Sequence, residues 1–115
     1  MVNDPKALLN HILQSIDLIE RYTSGRTEED FLSSVELQDR LIRRLEIIGE
    51  AVKNLPEVLK ADHPDINWRE IAGMRDVLIH QYFDVDLELT WEVVQVDIPK
   101  LKTAVGLMKE DLDKD

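Results

Sequence analysis

The densest cluster of reactive side chains lies in Gly73-Met74-Arg75-Asp76-Val77-Leu78-Ile79-His80-Gln81-Tyr82. An arginine and a histidine together suit phosphodiester chemistry. The imidazole can take a proton from an attacking 2′-hydroxyl or give one to a leaving 5′-oxygen. The guanidinium fork can hold the non-bridging oxygens and stabilise the charge that builds there. RNA carries its own nucleophile, so this chemistry needs no metal. It does work best with both an acid and a base, and this segment holds one histidine. Two copies of His80 facing each other across a symmetric dimer would supply both.

On a helix, Arg75 and Tyr82 are seven residues apart and fall nearly on one line, while Asp76 and His80 are neighbours one turn apart. Asp76 would then accept from one imidazole nitrogen and fix its tautomer. Arg75 and His80 point about 140° apart, a gap that arginine's reach or a second subunit would close. Gly73 is a poor helix former and predicts close approach of another backbone. The competing reading makes Arg75, Asp76 and His80 an internal polar network in a plain helical protein.

Arg40, Arg43 and Arg44 form a second candidate, a phosphate-contacting patch for RNA. Their structural alternative is a solvated face with internal pairs such as Arg40 to Glu36 and Arg43 to Glu46 or Asp39. Trp68 and Trp91 read as core or dimer anchors rather than base-stacking platforms. His11 and His63 are isolated. His63 with Asp62 and Asp65 lacks helical ligand spacing, so no metal site is expected. The chain has no cysteine, which rules out disulfides, thiolate metal sites and cysteine nucleophiles. No glycine-rich phosphate loop is present.

The elements that must position these groups are helical. Asp4 and Pro5 start a first helix, with Leu8, Ile12 and Ile16 at four-residue spacing, ending near Tyr22 before Ser24-Gly25. Thr27 and Asp30 resemble a capping box for a short turn over 28–32, and Ser33-Ser34 opens a long helix to about 54. Leu37, Leu41, Leu45, Ile48, Val52 and Leu55 form its stripe. Pro56 ends that helix or starts a short one through Ala61. Asn67 caps a third helix expected from Trp68 to about Phe83. Asp86 caps a fourth from Leu87, where Pro99 brings either a kink or a new start at Asp97. Residues from about 111 to 115 are expected to fray. No strand pattern or repeat is visible. The sum is a single all-α domain over 1–115, a bundle of four to five helices with short loops.

Composition narrows the function. The 115 residues are one domain's worth, 43% hydrophobic and 33% charged, too apolar for disorder. A formal charge of −10 argues against a general nucleic-acid coat or a basic membrane binder, though not against a local basic site. Nothing resembles a signal peptide or a membrane span, so a soluble cytoplasmic protein is expected.

Three stretches together resemble the HEPN superfamily, and more closely the HepT toxins of HepT–MNT toxin–antitoxin systems. They are Arg44-Leu45-Glu46-Ile47-Ile48-Gly49-Glu50-Ala51, the run Pro64 to Tyr82, and Asp86 through Val93. The specific feature is Arg-x4-His-x-Tyr at Arg75, His80 and Tyr82, preceded by Trp68-Arg69-Glu70-Ile71-Ala72-Gly73-Met74. The resemblance covers nearly the whole chain. It implies an up-and-down, HEPN-like helical bundle that forms a homodimer and cuts tRNA or mRNA without a metal or other cofactor. Arg75 and His80 would be catalytic, with Asp76 supporting. Tyr82 would accept AMP from a cognate minimal nucleotidyltransferase antitoxin, silencing the toxin. The alternative is a non-catalytic helical subunit on which that nucleotidyltransferase docks.

Overall fold

The computed structural model describes residues 4–81 and 84–114. Helix α1 (Pro5–Thr23) begins where the Asp4 carboxylate accepts from the Lys6 amide at 3.1 Å. It is followed by Gly25, whose φ of +72° is the only left-handed backbone among the described residues. That conformation costs glycine little and reverses the chain at once.

Helix α2 (Glu28–Leu32) carries a complete capping box. The Asp30 amide donates to Thr27 Oγ1 at 3.1 Å, and the Thr27 amide donates to Asp30 Oδ2 at 2.9 Å. The backbone bond from Thr27 holds the Asp30 carboxyl below its ordinary value of 3.8. A lowered carboxyl stabilises the fold above its unfolded pKa, and the contribution fades as pH falls through the folded value. Wild type should therefore outlast Asp30→Ala in thermal unfolding at neutral pH. The gap should narrow progressively as the pH falls below 3.8. A gap independent of pH would refute this account.

Helix α3 (Val35–Lys53) is capped by Ser34 Oγ, which accepts from the Leu37 amide at 3.1 Å. Its expected stripe is buried throughout, from Leu37 through Leu41, Leu45, Ile48 and Val52 to Leu55 just beyond. Helix α1 packs along α3, and the last helix packs against α1. Leu9, Ile12 and Ile16 of α1 thereby share one core with Leu101, Val105 and Met108. Phe31 and Trp91 stack with centroids 5.5 Å apart, tying α2 to the helix that begins at Leu87. Trp91 is thus a core anchor.

After the short α4 (Glu57–Ala61), the Trp68 indole N–H donates to the carbonyls of Lys60 at 3.1 Å and His63 at 3.0 Å, pinning the connection in place. Asn67 caps α5 (Trp68–Ala72) by accepting from the Glu70 amide.

The uninterrupted helix expected through Phe83 does not form. Helix α5 stops at Gly73, where the Asp76 amide closes a tighter turn onto the Gly73 carbonyl at 3.0 Å, and α6 covers only Met74–Leu78. Strand β1 (Ile79–Gln81) then pairs antiparallel with β2 (Asp84–Val85), Ile79 opposite Val85 and Gln81 opposite Asp84. The Asp86 amide donates to the Leu78 carbonyl at 2.8 Å. The physical reason is the next helix. Asp86 must cap α7 (Leu87–Glu92) by accepting from the Leu89 amide, so the chain has to reverse between Leu78 and Asp86. A helix running to Phe83 would leave two residues for that reversal. The β-branched Ile79 and Val85 also suit extended backbone.

Of the two alternatives at Pro99, the new start at Asp97 is the one found, with Asp97 at the cap position of the last helix. A π-helical turn (Val93–Asp97) leads directly into α8 (Ile98–Asp113), and the Ile98 amide donates to the Val93 carbonyl. The wide turn places Pro99 at the second position of α8, where its missing N–H is not needed. The fold is all-α apart from the two short paired strands. Among the described residues no helix is long and apolar enough to cross a membrane.

Candidate active site

The segment singled out by its chemistry spans two elements. Arg75 and Asp76 lie on α6, with Asp76 exposed, whereas His80 lies on β1. For Arg75 and His80 the structure describes the backbone positions. Asp76 and His80 are therefore not one-turn neighbours on a helix, and the tautomer-fixing contact drawn from that spacing has no helical basis. Tyr82 lies outside the described residues. The seven-residue helical line from Arg75 toward it is interrupted by β1.

Close backbone approach does occur in this region, but at Gly49 rather than Gly73. A Cβ on Gly49 would sit 2.8 Å from the Ile71 carbonyl oxygen and 3.4 Å from that of Ala72. At Gly73 the nearest atom would be 3.5 Å away, an ordinary contact. Gly49 therefore lets the end of α5 settle directly on α3. Helix α6 continues along α3 and buries Met74 and Leu78. This packing fixes the backbone position of Arg75.

Beside that contact lies a groove of about 480 Å³ between α1, α3 and α5. His11, Arg43, Glu46, Glu50 and Asn54 line it, with Ala72 at one wall. Ala72 stands three residues, or one turn, before Arg75. The sequence paired Arg43 with Glu46 on the long helix, and Glu50 and Asn54 follow at four-residue steps. It held no sign that His11 of α1 would join them, because only the packing of α1 on α3 brings it there. The groove offers a guanidinium for an anion and carboxylates with an imidazole for proton exchange.

The three arginines of α3 separate. Arg40 pairs with Glu36 one turn earlier, as its structural reading anticipated, and its guanidinium lies 5.4 Å from the centre of the Tyr22 ring. Arg44 is half-buried. Arg43 alone of the three lines the groove beside Ala72. Trp68 is half-buried with its N–H already bonded, so it serves as a brace. Among the described residues no three His, Asp or Glu side chains converge as a metal site, His63, Asp62 and Asp65 included.

Comparison with known proteins adds the last observation. A family model described as "Ribonuclease HepT-like" matches residues 12–108. A Methanocaldococcus jannaschii protein named "Gamma-glutamylcyclotransferase and putative RNase" is 58% identical over 99% of this chain, which spans only 51% of that longer protein. A "Probable ribonuclease HepT" from Thermococcus cleftensis is 50% identical over 89% of this chain and 93% of its own length. A "Putative RNase" from Caldanaerobacter subterraneus is 44% identical over 96% of each chain. No solved structure matches. With the match running through both flanks of the Arg75 and His80 segment, the chain belongs to the HepT-like ribonuclease family.

Proposed function

We propose that this chain is a metal-independent endoribonuclease acting as a homodimer, with Arg75 and His80 as its catalytic residues. The observation that carries the reading is the family match through residues 12–108, a span that includes an intact Arg-x4-His-x-Tyr at Arg75, His80 and Tyr82. The names of the relatives support the same class of activity.

In the proposed reaction His80 of one copy removes the 2′-hydroxyl proton. The 2′-oxygen bonds to phosphorus as the bond to the 5′-oxygen breaks. The partner's His80, protonated, gives its proton to that leaving oxygen. Arg75 holds the non-bridging oxygens as their charge rises. The products are a 2′,3′-cyclic phosphate and a free 5′-hydroxyl.

The same reading makes the chain the toxin of a type VII-like toxin–antitoxin pair. AMP transferred to Tyr82 by a minimal nucleotidyltransferase would place a bulky anion near the substrate phosphate's seat and block it. The test is cleavage of tRNA and mRNA by the partner-free protein in EDTA, after intact mass confirms an unmodified chain. Cyclic phosphate ends are the expected result. An unmodified, folded dimer that leaves both RNAs intact would overturn the nuclease reading in favour of the docking subunit.

A further inference from the structure

A second groove, of about 720 Å³, opens on the other side of Ala72. Lys53 at the end of α3, Lys60 of α4, and Trp68 and Arg69 of α5 line it, together with Glu57 and Asp65. The two grooves share Ala72 as a wall, so they meet one turn before Arg75.

The charges of this second groove are unevenly committed. Lys60 is buried, its ammonium 3.2 Å from the Glu57 carboxylate and 3.4 Å from the Val52 carbonyl oxygen. That pair is spent on the fold. Lys53 and Arg69 are exposed, and neither forms an ion pair among the described residues. Asp65 is the one carboxylate left on the wall. In a chain of net charge −10, two uncommitted cations against one carboxylate make a local positive seat. The Trp68 N–H is occupied by backbone carbonyls, leaving the groove without that donor for reading bases.

We infer that Lys53 and Arg69 hold the phosphates of single-stranded RNA flanking the cut site, leading the strand over Ala72 toward Arg75. The inference rests on the ribonuclease reading above. Such contacts fix register without reading sequence, and each adds to the salt dependence of binding.

The experiment uses the full-length protein, a short fluorescein-labelled single-stranded RNA of mixed sequence, and a double variant Lys53→Gln/Arg69→Gln. A second double variant, Arg21→Gln/Lys102→Gln, removes two equal charges at the remote α1–α8 surface. For the first variant, KM should rise roughly tenfold with kcat changed by less than about twofold. The slope of log affinity against log salt should fall by about 0.7 for each phosphate no longer neutralised. The remote variant should stay close to wild type. Wild type that cleaves while both variants lose affinity alike would overturn the groove and leave the nuclease standing. So would a first variant with unchanged KM and salt slope. Wild type that neither binds nor cleaves RNA would overturn the nuclease reading and the groove with it.

Discussion

His80→Ala should lower kcat/KM for RNA cleavage by about 10²- to 10⁴-fold, the range for removing a general acid or base. In a dimer where each His80 serves one half of the proton transfer, one substitution removes both acid and base, so the upper part of that range is expected. The fold should survive. His80 lies on β1, which meets β2 through backbone pairing that alanine retains. Thermal unfolding should shift little while cleavage falls. A variant that unfolds would point to a structural histidine, and one that folds and cleaves normally would remove His80 from the mechanism. The pH profile adds a readout that a structural role would not move: a bell in kcat/KM for wild type, reporting one His80 neutral and the other protonated, and no bell in residual cleavage by the variant.

Gly49→Ala should destabilise the fold by about 1–3 kcal/mol, the usual cost of forcing extra volume into a packed contact. Two effects oppose. Alanine is the better helix former by about 1 kcal/mol. Against that, the new Cβ meets the Ile71 carbonyl oxygen at 2.8 Å, and that oxygen belongs to the backbone of α5, so the whole helix end must move away from α3. The steric term wins because no side chain can swing aside. Gly106, within α8, provides the contrast. A Cβ there meets nothing within 4 Å, so Gly106→Ala should gain up to about 1 kcal/mol from helix propensity alone. The pair should therefore shift the melting temperature in opposite directions. Gly49→Ala should also impair cleavage by the surviving folded protein, because displacing Ala72 displaces the start of α6 and with it Arg75. Equal and favourable shifts from both substitutions would show that α5 does not rest on α3 as described.

How much of this was legible beforehand follows from the range of each interaction. Helix starts depend on a side chain and an amide two or three residues away, so Asp4, Thr27, Ser34, Asn67 and Asp86 announce their helices in the sequence and cap them in the structure. The apolar stripe of α3 is likewise a local repeat, and it is buried as its spacing requires. Arg75, His80 and Tyr82 stand out by type and spacing alone, as does the family to which they belong. Tertiary structure decided the rest. Local propensity allowed a helix through Phe83; the need to reverse and cap α7 at Asp86 ended it at Leu78 and put His80 on a strand. Gly49 looked like any helical glycine until the carbonyls of α5 came to rest against it. His11 joined Arg43 only because α1 packs along α3, and Lys53 met Arg69 only because the chain folds back after α4. Sequence encodes capping and periodicity within a turn or two, whereas a groove is made by residues whose spacing along the chain carries no period.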